Sequence, residues 1–332
     1  MPTISNGGQY MQAITYTGTG STQTIAVGFQ PDFVWIKSRS AATDHKLTDS
    51  VRGATKALIS DSTGAETTDT NGVTAFTSNG FTIGSDSVYN NNAATYVAWC
   101  WKAGTTSSSN TNGSITSTVS VGATQGFSVA TWTGLSSGVS TIGHGLGVAP
   151  SMYIVKSRSN ADNWFVYHVS TGNTGKLNLN DTSAFGTVAI WNNTSPTSTV
   201  FTFNNSTVGS AQNYVTYSFA AVKGFSAFGS YTGNGSADGP FTYLGFRPRF
   251  VMWKLSSTTG DWQMWDSSRD TYNVVGNLLD ANLSNAEASG QSAVDFLSNG
   301  FKNRSSSVGN ASGQTYIYAA FAENPFKNAL AR

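Results

Sequence analysis

The side chains best suited to chemistry in this chain recur at fixed distances from three prolines, Pro31, Pro150 and Pro248. Fourteen residues beyond them stand His45, Trp164 and Trp262, preceded by Asp44, Asn163 and Asp261. Eighteen residues beyond stand Asp49, His168 and Asp266, and twenty-one beyond stand Arg52, Thr171 and Arg269. Positions four apart on a strand share a face, so His45 falls beside Asp49 and Trp164 beside His168. A His–Asp pair is an acid/base fragment, yet no third group or nucleophile accompanies it and the pair is not repeated. No catalytic residue is assigned, and the chain is read as a non-enzyme. The Asp/Asn–Trp positions offer a different chemistry. An aromatic ring is an apolar platform for a sugar face, and a neighbouring amide or carboxylate can hydrogen-bond the hydroxyls. Asp261, Trp262, Asp266 and Arg269, with Trp164 in the second copy, form the candidate ligand-binding set if they are exposed; the competing role for such tryptophans is core packing.

Other possible sites are weaker. His144 in GHGLG has no aligned histidine and reads as part of a Gly-rich turn. There is no GxxxxGK[ST] phosphate loop, and TDTNG at Thr68–Gly72 is too short for a calcium loop. The single cysteine, Cys100, excludes an internal disulfide and a cysteine zinc site, and reads as a small buried hydrophobe. Neither a metal nor a cofactor is implied. A net charge of +1 with 11% charged residues argues against nucleic acid and anionic membrane surfaces as partners. No apolar run approaches a membrane span, and the N-terminal sequence lacks a basic start followed by an apolar stretch. The expectation is a soluble, unsecreted protein without membrane insertion, in which Asn-x-Ser/Thr sequons reflect composition.

The elements that must position these residues are themselves repeated. FQPDFVWIKSRS at residues 29–40 returns as VAPSMYIVKSRS at 148–159 and, more weakly, as FRPRFVMWKLSS at 246–257. A Gly stands three residues before each Pro and a Lys six after it: Gly28 and Lys37, Gly147 and Lys156, Gly245 and Lys254. An aromatic-Thr-Gly turn precedes each copy, at Tyr16, Trp132 and Tyr231, and SNGF at Ser78–Phe81 recurs at Ser298–Phe301. The copies close with YVAWCW from Tyr96, YVTYSF from Tyr214 and YIYAAF from Tyr316.

Aromatics at 12% among loops crowded with Gly, Ser, Thr and Asn predict an all-β fold. Asn-Gly pairs at Asn71, Asn79, Asn234 and Asn299 predict antiparallel hairpins that use positive φ. The Pro-to-Lys run reads as a strand with Pro at its entry and Lys emerging towards solvent. In the closing strand Val97, Trp99 and Trp101, with their counterparts, face a core, and the small Cys100, Ser218 and Ala320 admit something close on the other side. The architecture predicted is three tandem β-sandwich, jelly-roll-like repeats of about 100 residues: residues 1–104, 125–223 and 224–332, with 105–124 as a Ser/Thr/Gly-rich linker or loop.

The combination of aromatic-T-G, GF-x-P-x-x-V-x-x-K, DSVRG at Asp49–Gly53, SNGF and YIYAAFAENPFK at Tyr316–Lys327 resembles a domain repeated in virion proteins of marine and cyanobacterial tailed phages, over nearly the whole chain. The resemblance implies a non-enzymatic structural protein, assembled in the host cytoplasm and carried on the tail or capsid surface of the virion. A tail-associated fibre or host-receptor-binding component is the first reading; a capsid-decorating or head-fibre protein and a glycan-degrading tail enzyme are the alternatives. The partners implied are other virion proteins, a host-surface glycan or receptor, and further copies of the chain, a trimer being one such arrangement. The family brings no catalytic residues. The second copy lacks both the DSVRG-like Arg and the SNGF turn, so the three copies are not expected to bind alike. Without coiled-coil heptads, a fibre would be short or mounted on another protein.

Overall fold

The structure, a computed structural model, describes residues 4–208 and 211–324. It is nearly all β, with 44% strand and 4% helix in several separate sheets of sandwich type. The strands Met11–Thr17, Thr95–Trp101, Phe33–Ser38 and Lys46–Asp49 lie side by side in that order, all antiparallel. The same order recurs in Phe127–Thr133, Asn213–Phe219, Met152–Ser157 and Phe165–His168, and again in Ser226–Thr232, Thr315–Asn324, Arg247–Leu255 and Trp262–Asp266. Each large sheet thus places the closing Tyr strand between the aromatic-Thr-Gly strand and the Pro–Lys strand. A smaller sheet accompanies each one: Gln23–Ala26, Gly80–Ile83 and Val73–Thr77; then Val139–Gly143 with Val200–Asn204; then Phe241–Tyr243, Gly300–Asn303 and Val294–Leu297. A large sheet with its small partner is called a unit below.

The Gly three residues before each Pro has a backbone reason. Gly28, Gly147 and Gly245 sit at φ +95°, +75° and +80°, a region that side chains with a Cβ rarely adopt. The chain turns there and then enters the strand. Both faces of the closing strand are buried. In the first unit Val97, Trp99 and Trp101 join a core common to all three units, while Tyr96, Ala98 and Cys100 pack in that unit's own sandwich. The small residue at Cys100 therefore lies under its own second sheet, where burial pushes the thiol pKa up.

The common core is built from corresponding positions. Phe33, Met152 and Phe250, and then Trp101, Phe219 and Phe321, surround a small apolar void of about 20 Å³. Trp101 meets the rings of Phe219, Phe250 and Phe321 at 6.1, 5.7 and 5.7 Å, and Phe33 stacks on Tyr217 at 4.2 Å. Complete burial of a Phe contributes about 1.5–3 kcal/mol. The hydrophobic energy is thereby concentrated between the units as well as inside them.

Several expectations are corrected. Residues 105–124 are not simply a linker or loop: they contain the strands Ser108–Asn110 and Ser117–Gly122, which extend the second large sheet beyond Phe127–Thr133. The β-branched Thr118, Val119 and Val121 suit that role, and the Ser/Thr-rich composition hid it. Asp32 pins the approach to this segment, accepting from Ala103 N at 2.6 Å, Thr105 N at 3.1 Å and Ser120 Oγ at 3.0 Å.

The Pro–Lys runs form strands, but Lys37, Lys156 and Lys254 are fully buried instead of emerging into water. Their ammonium groups cap carbonyls: Lys37 donates to Ser38 O at 2.9 Å, Lys156 to Thr63 O at 3.0 Å and Lys254 to Thr182 O at 3.1 Å. The latter two reach into the neighbouring unit. Burial lowers the pKa of each to about 8.

Asn79 and Asn299 do lie in hairpins, whose turns are Ser78–Asn79 and Ser298–Asn299. Neither asparagine has positive φ. The glycine that follows is needed for close approach, since a Cβ at Gly80 would lie 1.9 Å from Ile25 O and one at Gly300 2.1 Å from Thr242 O. Asn71 and Asn234 are in loops rather than hairpin turns between paired strands. Pro325, Phe326 and Lys327 of the closing motif lie outside the described residues.

Candidate functional site

The repeated polar positions lie at the seams between units. At the first seam the Arg52 guanidinium binds Asp49 through Nε, Glu66 Oε2 through Nη1 at 3.0 Å and Leu47 O through Nη2 at 2.8 Å. The second unit closes this socket: the Tyr217 hydroxyl donates to Asp49 Oδ2 at 2.8 Å, and Arg158 donates to both oxygens of Glu66 at 2.8 and 3.0 Å. At another seam Arg269 binds Asp266 Oδ2 at 2.6 Å, Glu287 Oε2 at 3.0 Å and Met264 O at 2.8 Å. Here the first unit closes the socket, with Trp99 Nε1 donating to Asp266 Oδ2 at 3.0 Å and Arg39 to Glu287 at 2.8–3.1 Å. Burial opposes the charged form of Glu66, but the bonds from Arg158 and the Arg52 charge hold its pKa below the usual value.

The remaining seam has the same frame without the charges. Phe185 N donates to Ser256 O at 2.9 Å, as Glu66 N does to Arg158 O and Glu287 N to Arg39 O, both at 2.9 Å. His168, Thr171 and Phe185 replace the Asp, Arg and Glu of the sockets, and Ser256 of the third unit replaces the reaching Arg. His168 Nε2 donates to Tyr318 O at 3.1 Å. The socket charges are absent from both sides of this seam together. Spacing from the prolines located Asp49, Arg52, Asp266 and Arg269 but missed Glu66 and Glu287, which sit in loops of unequal length. The available signal was the Arg of the KSRS strings at Arg39 and Arg158, absent from the third copy as the socket Arg is from the second.

The histidines are committed as well. His45 Nδ1 accepts from Trp35 Nε1 at 2.8 Å, so Nε2 carries the proton it gives to Asp280 O at 3.0 Å. His144 accepts from Leu146 N at 3.2 Å and donates to Thr197 O at 3.1 Å; His168 accepts from Ser170 N at 3.1 Å. Each ring is a buried neutral tautomer with both nitrogens used. Burial lowers all three pKa values, that of His168 to about 4. His45 and Asp49 form no pair, because their side chains serve different seams.

The candidate ligand-binding set is not an exposed surface. Trp164 is 0% and Trp262 1% exposed, and Asp266 and the Arg269 side chain are buried in the socket just described. Trp164 Nε1 donates to Ile59 O of the first unit at 2.8 Å, and Trp262 Nε1 to Asn178 O of the second at 2.7 Å. Both rings span seams, as His45 does at the same position of the first copy. The physical reason is that the opposite face of this strand, like that of the closing strand, packs on a neighbour instead of facing water.

Asp261 alone reaches a concave surface, an open cleft of about 270 Å³ that it lines with Leu255, Gln263, Ser307 and Tyr316. Asn282 holds its carboxylate at 2.7 Å. Burial first, and the nearby Asp261 charge second, push the Asp280 pKa up to about 7. Among the described residues no group of three or more His, Cys, Asp or Glu is placed to hold a metal ion, and no helix is long and apolar enough to cross a membrane.

Fold and seams define an all-β, sandwich-type protein whose sheets are joined through a shared aromatic core. The chain belongs to the family described as a domain of unknown function (DUF7483), which its residues 6–325 match. A comparison with curated protein sequences finds no match.

Two outcomes check these assignments. Trp262→Ala is expected to destabilise the chain by about 3–5 kcal/mol in denaturant unfolding, as removal of a core tryptophan does; a stability change near zero would contradict its role at the seam. His168→Gln is expected to be destabilising at pH 7 by about 1–3 kcal/mol, from a disturbed buried hydrogen bond. Because the folded-state pKa is depressed, the stability given by the neutral ring is present above pH 6.5 and is lost as pH falls towards about 4. The gap between wild type and variant should therefore narrow over that range; a constant gap would contradict the assignment.

Proposed function

We propose that the chain is a non-enzymatic structural protein of a virion surface, acting as a tail-associated, host-receptor-binding component. The observation that carries this reading is the use of its reactive side chains: His45, His168 and both Asp–Arg pairs are engaged in holding units together, and His144 is bonded through both nitrogens inside the second unit. What remains free for other work is the outer sheets and their loops, on a rigid body whose core is shared. A rigid scaffold presenting variable outer surfaces suits recognition. The phage-virion resemblance of the repeat supplies the setting, and the absence of a heptad repeat favours a compact component mounted on another protein. The three-unit arrangement is made within one chain, so a further trimer of chains is not required to complete it.

One feature favours a second reading, a glycan-cleaving enzyme. Glycoside hydrolysis needs a carboxyl kept protonated near neutral pH, and burial raises the Asp280 pKa to about 7 on the strand neighbouring Trp262–Asp266.

Antibody labelling of intact particles tests the first reading, with label expected on the tail and attachment to host cells blocked by the antibody. Label confined to the head would assign the chain to capsid decoration. Release of reducing ends from host polysaccharide, abolished by Asp280→Asn, would establish the enzyme instead.

A further inference from the structure

The small outer sheets of the three units can be compared position by position, because the hairpin phenylalanines Phe81, Phe201 and Phe301 pair with Ile25, Ile142 and Thr242. The residues on either side of that pair lie on the other face of the strand. In the first unit they are the exposed Thr24 and Ala26; in the second they are Thr141 and Gly143, and there Asn110 lies over Gly143 and buries it. In the third they are Phe241 and Tyr243, 46% and 69% exposed. Opposite the first of these positions stand Thr82, Thr202 and Lys302. The frame thus folds with small neutral residues in two units and carries two exposed aromatics and a cation in the third.

The polarity of this third strand is inverted. Its aromatics face water while Thr242 is buried, with a hydroxyl that has no hydrogen-bond partner. Folding alone favours the reverse pattern. The rings also lie over glycines, which keeps the surface low. Phe241 Cε2 is 3.0 Å from where a Cβ of Gly300 would stand, and the Tyr243 ring covers Gly245, whereas nothing lies over the corresponding Gly28 and Gly147.

We infer that Phe241 and Tyr243 on the outer sheet of the third unit form a binding platform for an uncharged saccharide. The rings offer apolar planes to the C–H face of a sugar. The polar groups beside them are already balanced: Lys302 pairs with Asp238 at 2.6 Å, and Asp295, opposite Lys302 across the sheet, pairs with Arg304 at 3.3 Å. Two cations and two anions leave no net charge to attract an acidic glycan, but they place donors and acceptors for hydroxyls around the rings. The inference rests on the host-binding reading and names its site.

The test uses the full-length chain and an array of neutral and acidic bacterial surface oligosaccharides. Neutral oligosaccharides are expected to bind, and the double variant Phe241→Thr/Tyr243→Ala to bind them about tenfold or more weakly. That variant installs the outward residues of the first unit, Thr24 and Ala26, so its thermal midpoint is expected to match wild type. Undiminished binding by the variant would overturn the platform while leaving host attachment intact. Preference for acidic oligosaccharides would overturn the uncharged ligand. Binding to none, or a wild-type dimer that the variant turns into a monomer in sedimentation, would overturn the saccharide proposal; adsorption of the protein to host cells, measured separately, then decides the host-binding reading on its own.

Discussion

A guanidinium buried between two carboxylates is the interaction on which the arrangement of the units depends. Arg52 and Arg269 have side chains with no exposure, each with an equally buried Asp. An ion taken out of water must keep its partners, since losing one typically costs about 3–5 kcal/mol. In both sockets the partners come from two units: Tyr217 and Arg158 of the second unit complete the first, and Trp99 and Arg39 of the first unit complete the third. Such a pair adds little net stability over apolar packing, but it punishes wrong neighbours. The shared aromatic core supplies non-directional attraction, and the sockets dictate which unit meets which.

The seam without an Arg socket completes the cycle. There the second unit's His168 meets Tyr318 of the third, and Trp262 of the third reaches Asn178 of the second. A lone Arg158-like side chain facing Phe185 would be a buried charge without a carboxylate, and a Glu at 185 would lack its Arg. The paired absence of both is what a desolvation penalty requires. This division leaves the outer sheets under the weakest constraint, which is why the third can bear Phe241 and Tyr243 where the first holds Thr24 and Ala26.

Much of the fold was legible in the sequence, because backbone requirements leave fixed residue types. The Gly-x-x-Pro register reflects positive φ at Gly28, Gly147 and Gly245, and the closing Tyr strand was recognisable from alternation. What could not be read was which polar residues face a neighbour. Lys37, Lys156 and Lys254 look like strand-end surface lysines until a neighbouring unit covers them, and Trp262 with Asp266 and Arg269 looks like a sugar platform until the seam closes over it. Period-two alternation tells the two faces of a strand apart but is silent when both are buried. Phe241 and Tyr243, which do reach solvent, sit in a three-residue strand too short for the pattern to stand out.

Calorimetry of the full chain tests the central claim, that seams and shared core make the three units one cooperative body. A single transition is expected, with calorimetric and van't Hoff enthalpies equal, and Arg52→Leu is expected to lower its midpoint without splitting it. Two or three separate transitions in the wild-type chain, or an Arg52→Leu shift confined to one of them, would contradict it.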